Sequence, residues 1–138
     1  MVRRKFKPLS CDLDQDGPES VHRAVTLAQL FSTTNGLNEV QAAKLAILIE
    51  EAVTNLYDHG AIGSGFCGRV DLGGDDGGLL VIVCDSGEPF DLRDVAGIDM
   101  PNPERGGGVG LAMIRAWADV VGYRREGAMN RLELRMRH

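Results

Sequence analysis

One segment of the chain, from Asn38 to Gly60, combines a helical apolar pattern with a row of polar side chains. Its apolar positions at helical spacing are Leu45, Leu48, Ile49, Ala52, Val53 and Leu56. In a helix, Glu51, Asn55 and His59 recur every four residues and share one face. Asparagine is a mediocre helix former, because its amide competes for backbone hydrogen bonds. The segment therefore predicts a core-packed helix with a polar row that needs an explanation.

The other segments alternate between strand and helix patterns. The predicted elements are a strand over 6–13, a helix from Asp16 to Asn35, the helix from Asn38 to Gly60, a strand over 66–72, a strand over 79–84, a loop over 91–104, a helix from about Val109 to Val121 that stops at Gly122, and a hairpin of strands over 123–126 and 131–136. The run over 79–84 is continuously apolar, which is typical of a central strand covered on both faces. This order predicts an α/β (α+β) two-layer sandwich, with helices on one face of a mixed, mostly antiparallel sheet.

Composition narrows the class of protein. At 138 residues the chain is long enough for one domain, 1–138, with a core of its own. A net charge of −5 argues against a nucleic-acid-binding surface. The three cysteines, Cys11, Cys67 and Cys84, lack zinc-site spacing and are expected to be reduced and mostly buried, as in a cytoplasmic protein. Neither a signal peptide nor an apolar run of about 20 residues is present.

The polar row of the second helix is the first candidate site. Taken alone, it is more often a solvated stripe than a functional one. An amide oxygen such as that of Asn55 is a hard ligand that Mg²⁺ accepts beside phosphate oxygens. A carboxylate one turn away, Glu51, could accept a proton from a substrate hydroxyl. Glu50 points off this face and is interpreted as structural.

Two further motifs follow. Asp85-Ser86-Gly87-Glu88-Pro89-Phe90 comes directly after the apolar strand and is either an ordinary turn or a base-binding site. In the second interpretation Asp85 accepts from an exocyclic amine such as adenine N6, and Gly87 lets a flat ring approach the backbone. Glu104 to Leu111 contains a glycine cluster that opens a helix, and it is either a hinge or an anion site. It fits neither a Walker loop nor the Rossmann spacing.

In this order the three motifs, Glu-Ala-x-x-Asn-x-x-x-His, Asp-x-Gly-x-Pro-Phe and Glu-Arg-Gly-Gly-x-Val-Gly-Leu, resemble those of the GHKL ATP-binding superfamily. Within it the chain looks like the anti-sigma-factor serine kinases, which are small bacterial proteins. The resemblance covers almost the whole chain. It implies a Bergerat-type ATP-binding fold with ATP and Mg²⁺ as cofactors.

The resemblance also implies roles for individual residues. Glu51 would be the general base toward a serine hydroxyl, and Asn55 would coordinate Mg²⁺. Asp85 would hold the adenine amine, with the loop over 91–104 as the ATP lid and Arg105 near the γ-phosphate. The implied nucleotide-binding set is Asn55, His59, Asp85, Gly87, Arg105, Gly106, Gly107, Gly108, Val109, Gly110 and Leu111.

Implied partners are a sigma factor, sequestered by a kinase homodimer, and a STAS-type anti-anti-sigma protein phosphorylated on serine. Neither a nucleic acid nor a membrane is expected as a direct partner. Two other functions stay open: a nucleotide-dependent module that binds partners without phosphorylating them, and the catalytic domain of a histidine kinase. The second is disfavoured because the chain leaves no room for a dimerisation helix with a phospho-acceptor histidine, and His22 has no such context.

Overall fold

The computed structural model describes residues 5–59, 63–89 and 114–137, and of His59 the backbone only. The elements are β1 (Leu9–Leu13), α1 (Gly17–Thr34), α2 (Glu39–His59), β2 (Gly68–Asp75), β3 (Gly78–Asp85), β4 (Ala118–Glu126) and β5 (Met129–Met136). The strands form one sheet in the order β1-β2-β3-β5-β4, and every neighbouring pair is antiparallel. The predicted two-layer arrangement of helices on a sheet is confirmed.

Local sequence signals explain where the two helices begin. The Asp16 carboxylate accepts a hydrogen bond from the Glu19 backbone N–H at 3.0 Å and caps α1, and a proline follows in the first turn. The Asn38 side chain accepts from the Gln41 N–H at 2.8 Å and caps α2 in the same way. Both helix starts that the sequence predicts are confirmed.

The core lies between the helices and one face of the sheet. Alternate strand residues point inward, so that β3 contributes Leu79, Val81 and Val83 and ends with the buried Asp85 on the same face. The largest fully buried side chains are Phe31, Leu13, Leu45, Leu48, Ile49, Leu72, Ile114, Leu134, Val53, Val70, Val81 and Val83. The apolar positions predicted for α2 therefore do pack into the core, and they hold this helix against the sheet.

β3 is the central strand, as predicted, but its two faces differ. Leu80, Ile82 and Cys84, which point away from the core, are only half-buried. The prediction that β3 is covered on both faces is therefore wrong. Cys11 is also half-buried and Cys67 is exposed, so the expectation of mostly buried thiols is wrong as well.

The third predicted helix ends earlier than expected. Helical backbone is described for 114–117, and β4 begins at Ala118, which pairs with Met136. The β-branched side chains before Gly122 favour the strand, and the pairing with β5 buries Ala118. Gly122 lies at a shift of register within β4 and does not end a helix.

In the part of the chain that the structure describes, neither helix combines the length and the apolar character needed to cross a bilayer.

Candidate functional site

The polar row of α2 lies partly inside the protein. Glu51 and Asn55 are both within the continuous helix Glu39–His59, one turn apart. Asn55 is 2% exposed and Glu51 is half-buried, whereas Glu50 is exposed. A stripe that faced only water would not bury its central amide, so the solvated-stripe interpretation does not fit Asn55.

The side-chain amide of Asn55 has a nitrogen atom without a partner among the described residues. This Nδ2 atom is buried, and no residue that the structure describes accepts a hydrogen bond from it. Such a group costs about 1–3 kcal/mol of desolvation, a cost that a protein usually avoids. Oxygen and nitrogen of an amide are assigned by their partners, so a half-turn of the side chain presents the carbonyl oxygen at this position. A neutral oxygen ligand suits Mg²⁺, and the residue therefore fits the metal role implied by the resemblance.

The Glu51 carboxyl is poised to hold a proton more tightly than a free glutamate does. Burial raises its pKa, and the negative charges of Glu50 and Asp58 raise it further. A raised pKa makes the carboxylate a better proton acceptor, as general bases require. Glu50 thus influences this position through its charge, although its side chain points elsewhere.

Tyr57 joins the C-terminal end of α2 to the sheet. Its hydroxyl donates a hydrogen bond to the Asp14 carbonyl at 2.6 Å, and its ring lies 5.3 Å from that of Phe66. A Cβ on Gly17 would come within 3.1 Å of the same ring, so a glycine suits this contact. Phe66 lies two residues before the first residue of β2, Gly68, which pairs with Asp85. The end of α2 and the end of β3 therefore meet at the same edge of the sheet.

This connection predicts a stability effect. Tyr57→Phe keeps the ring contacts but removes the hydrogen bond to Asp14, and we expect the free energy of unfolding to fall by about 1 kcal/mol. Tyr57→Leu also removes the ring and should cost more. Urea denaturation measures both values. If Tyr57→Phe and the native protein unfold at the same urea concentration, the hydroxyl does not hold this end of the helix.

Asp85 lies at the centre of a buried polar network. Asp85 is 6% exposed, and its Oδ1 accepts from the Gly87 N–H at 2.9 Å and from Asn130 Nδ2 at 3.1 Å. Burial raises the pKa of Asp85, and these two hydrogen bonds, with the charge of Arg125, only partly oppose the increase. A buried acceptor at the end of a central strand matches the predicted base-binding role better than a plain turn does.

The turn after β3 is tied to the neighbouring strand. The Ser86 N–H donates to the Cys67 carbonyl at 3.0 Å, and Ser86 Oγ accepts from the Cys67 N–H at 3.0 Å. At the adjacent pair, a Cβ on Gly68 would lie 2.7 Å from the Cys84 carbonyl oxygen, so only glycine fits opposite Asp85. Asp85 and Gly87 are therefore held on a fixed backbone.

Sequence reasoning missed two residues of this network, Asn130 and Arg125. Asn130 is 1% exposed and bonds to Asp85, to Gly87 and to Arg125. Its position was detectable, because it continues by one step the inward alternation of Leu132, Leu134 and Met136. An asparagine on the core face of a strand needs hydrogen-bond partners, so the pattern identifies Asn130 as a candidate member of a buried polar network.

Several predicted site residues lie outside the described residues. These are the side chain of His59, the loop over 91–104, and the glycine-rich set Arg105, Gly106, Gly107, Gly108, Val109, Gly110 and Leu111. Their assigned roles stay predictions. Glu51, Asn55, Asp85 and Gly87 are described, and the helix end and strand end that carry them lie at one edge of the sheet.

Comparisons with known proteins identify the family and the fold of the chain. Residues 15–137 match a family model described as the histidine kinase-like ATPase domain. Among solved structures, the chain is similar to the histidine kinase domain of the blue-light-activated histidine kinase from Erythrobacter litoralis EL346, with a TM-score of 0.55 and 14% identity. The match covers 87% of this chain and 60% of the histidine kinase domain. This similarity confirms the predicted fold class. No curated protein matches the chain significantly.

Proposed function

The chain belongs to the histidine kinase-like ATPase domain family, and on that basis we propose that it is an ATP- and Mg²⁺-dependent protein-serine kinase acting as an anti-sigma factor. In this proposal it phosphorylates an anti-anti-sigma partner on serine and sequesters a sigma factor, so that phosphorylation switches partners. Membership of this family supports the binding of ATP. The serine acceptor and the partners are the proposed part.

One observation carries the kinase proposal: Glu51, with a raised pKa, lies one turn from Asn55, whose buried amide nitrogen has no partner among the described residues. A domain that only bound nucleotide would need the amide but would have no use for the base. The half-buried carboxylate is therefore the feature that favours transfer to a hydroxyl over binding alone.

ATP, when bound, supplies the phosphoryl group, and Mg²⁺ neutralises the charge of its phosphates. Glu51 takes the proton of the serine hydroxyl as the oxygen forms its bond to phosphorus and the bond to the ADP leaving group breaks. Asn55 would hold the metal through its amide oxygen. Asp85 would accept a hydrogen bond from the adenine amine, and the core packing of α2 would keep Glu51 and Asn55 in place.

The regulatory part of the proposal is supported by the order of the three motifs, which resembles that of anti-sigma-factor serine kinases. The partners would be a STAS-type anti-anti-sigma protein and a sigma factor bound by a kinase homodimer.

Phosphate transfer tests the proposal directly. The purified chain is mixed with ATP labelled in the γ-phosphate, Mg²⁺ and candidate anti-anti-sigma proteins from the same cells. We expect an acid-stable phosphoserine on the partner, and its loss when the acceptor serine is replaced by alanine. Tight nucleotide binding without any transfer would instead support the partner-binding module, and an acid-labile phosphohistidine would support a histidine kinase. Either result overturns the serine-kinase proposal.

Asp85→Asn should separate nucleotide binding from stability. The folded-state pKa of Asp85 is raised, so the ionised carboxylate costs stability at neutral pH, and this cost disappears as the pH falls below the unfolded value. We expect Asp85→Asn to melt at a higher temperature than the native chain at pH 7, with the difference vanishing below about pH 4. Adenine nucleotides should bind about 10–100-fold more weakly, because an amide N–H would face the amine.

Thermal melting at both pH values and calorimetric titration with ADP check this pair of effects. If Asp85→Asn lowers the melting temperature at pH 7 and binds ADP normally, Asp85 is a structural residue and not the base acceptor.

A further inference from the structure

Asn130 and Arg125 form a chain of hydrogen bonds that leads to Asp85. Arg125 Nη1 donates to Asn130 Oδ1 at 2.9 Å. Asn130 Nδ2 then donates to Asp85 Oδ1 at 3.1 Å and to the Gly87 carbonyl at 2.8 Å. One amide thus contacts both ends of the turn from Asp85 to Gly87.

The chemistry of the partners determines which way this amide points. Arginine only donates hydrogen bonds, so the atom of Asn130 that faces Arg125 must be the oxygen. The Gly87 carbonyl only accepts, so the atom that faces it must be the nitrogen. Reversing the amide would lose these bonds in a site where Asn130 is 1% exposed, and water could not replace them.

This orientation also determines which carboxylate oxygen of Asp85 is used. Both hydrogen bonds that Asp85 accepts from described residues, those of Gly87 and Asn130, go to Oδ1. The described residues donate none to Oδ2. Among the described residues, Asp85 Oδ2 therefore has no donor and remains an acceptor. The two hydrogen bonds to Oδ1 keep the carboxylate from rotating.

We propose that Asn130, oriented by Arg125, is a positioning residue that holds Asp85 as a hydrogen-bond acceptor and thereby makes the site prefer a nucleobase with an exocyclic amine over one with an oxo group. The inference rests on the proposed nucleotide-binding function. An amine donates to Asp85 Oδ2, whereas an oxo group would place one acceptor against another. Discrimination of this kind is strong because the mismatched pair stays buried and unsatisfied.

Four variants of the full chain test the assignment. Asn130→Ala removes the donor, and Asn130→Asp keeps the shape but replaces the donor with a second carboxylate next to Asp85. Arg125→Met leaves both bonds of Asp85 in place and removes one of the two groups that orient Asn130, while the Gly87 carbonyl remains. The control is Arg124→Met, because Arg124 is exposed on the same strand and pairs with Glu126 at 2.6 Å.

The measurement is calorimetric titration of each variant with ADP and with GDP, in the presence of Mg²⁺. The native chain should prefer ADP. Asn130→Ala should bind ADP about 10–100-fold more weakly with little change for GDP, so that the preference shrinks. Asn130→Asp should lose more, because two adjacent carboxylates share a proton or repel each other. Arg125→Met should lose about threefold to tenfold, and Arg124→Met should match the native chain.

The ratio of the two affinities separates positioning from general structural support, because a distorted site would lose both nucleotides equally. Such an equal loss would overturn the inference, as would native affinities and ratio in both Asn130 variants. If Asn130→Ala does not fold, Arg125→Met decides, and an unchanged ratio there contradicts the inference. A native chain that binds neither nucleotide overturns the proposed function itself, and this result is distinct from the outcomes that overturn only the inference.

Discussion

Replacing Glu51 with glutamine should reduce phosphoryl transfer to the partner by about 10²–10⁴-fold, because a positioned general base contributes a factor of this size. The amide of glutamine keeps the shape of the side chain but cannot accept the serine proton. Binding of Mg·ATP should stay at the native level, since Glu51 acts on the hydroxyl and not on the nucleotide. Single-turnover transfer of labelled phosphate, together with calorimetric titration, measures the two effects separately.

The pH dependence of the same reaction provides an independent check. The base works when deprotonated, and burial and neighbouring negative charges raise the pKa of Glu51. The transfer rate should therefore increase with pH and level off at a higher pH than a free glutamate would give. Glu50→Gln removes one of those charges, so it should shift this rise to lower pH. If Glu51→Gln transfers phosphate at the native rate, Glu51 is not the base.

Replacing Asn55 with leucine should affect stability and binding in opposite directions. Leucine has a similar size and removes an amide whose buried nitrogen has no partner among the described residues, so the free energy of unfolding should rise by about 1–3 kcal/mol. Nucleotide affinity in the presence of Mg²⁺ should fall by at least about 10–100-fold, which is the loss expected even for residues that only support a metal ligand. A substitution that stabilises the fold but weakens nucleotide binding is expected at a polar residue that is retained for function.

Urea denaturation and titration with ATP, each with Mg²⁺ and with EDTA, test this expectation. The loss of affinity should be confined to the samples with Mg²⁺. If Asn55→Leu loses affinity equally in EDTA, Asn55 contacts the nucleotide directly and does not act through the metal. If the variant is less stable than the native chain, the amide has a structural partner.

The parts of the fold that follow local rules could be predicted from the sequence. Asp16 and Asn38 cap the two helices through side-chain hydrogen bonds to residues three positions on, and such contacts depend only on neighbouring residues. The inward alternation of Leu132, Leu134 and Met136 likewise appears in the structure as predicted. The end of the third helix could not be predicted, because pairing between β4 and β5 outweighs the local helical pattern at Ala118.

The candidate site likewise has features that the sequence predicts and features that depend on tertiary contacts. The spacing of Glu51 and Asn55 on one helix and the place of Asp85 after an apolar strand are set by the order of residues, so the sequence by itself determined these three positions and the family to which they point. Only the tertiary structure decided that the Asn55 amide nitrogen is buried without a partner among the described residues, and that Asn130, 45 residues from Asp85, holds its carboxylate. Burial and long-range hydrogen bonds depend on which elements pack together, and the pairing of β3 with β5 brings these two residues opposite each other.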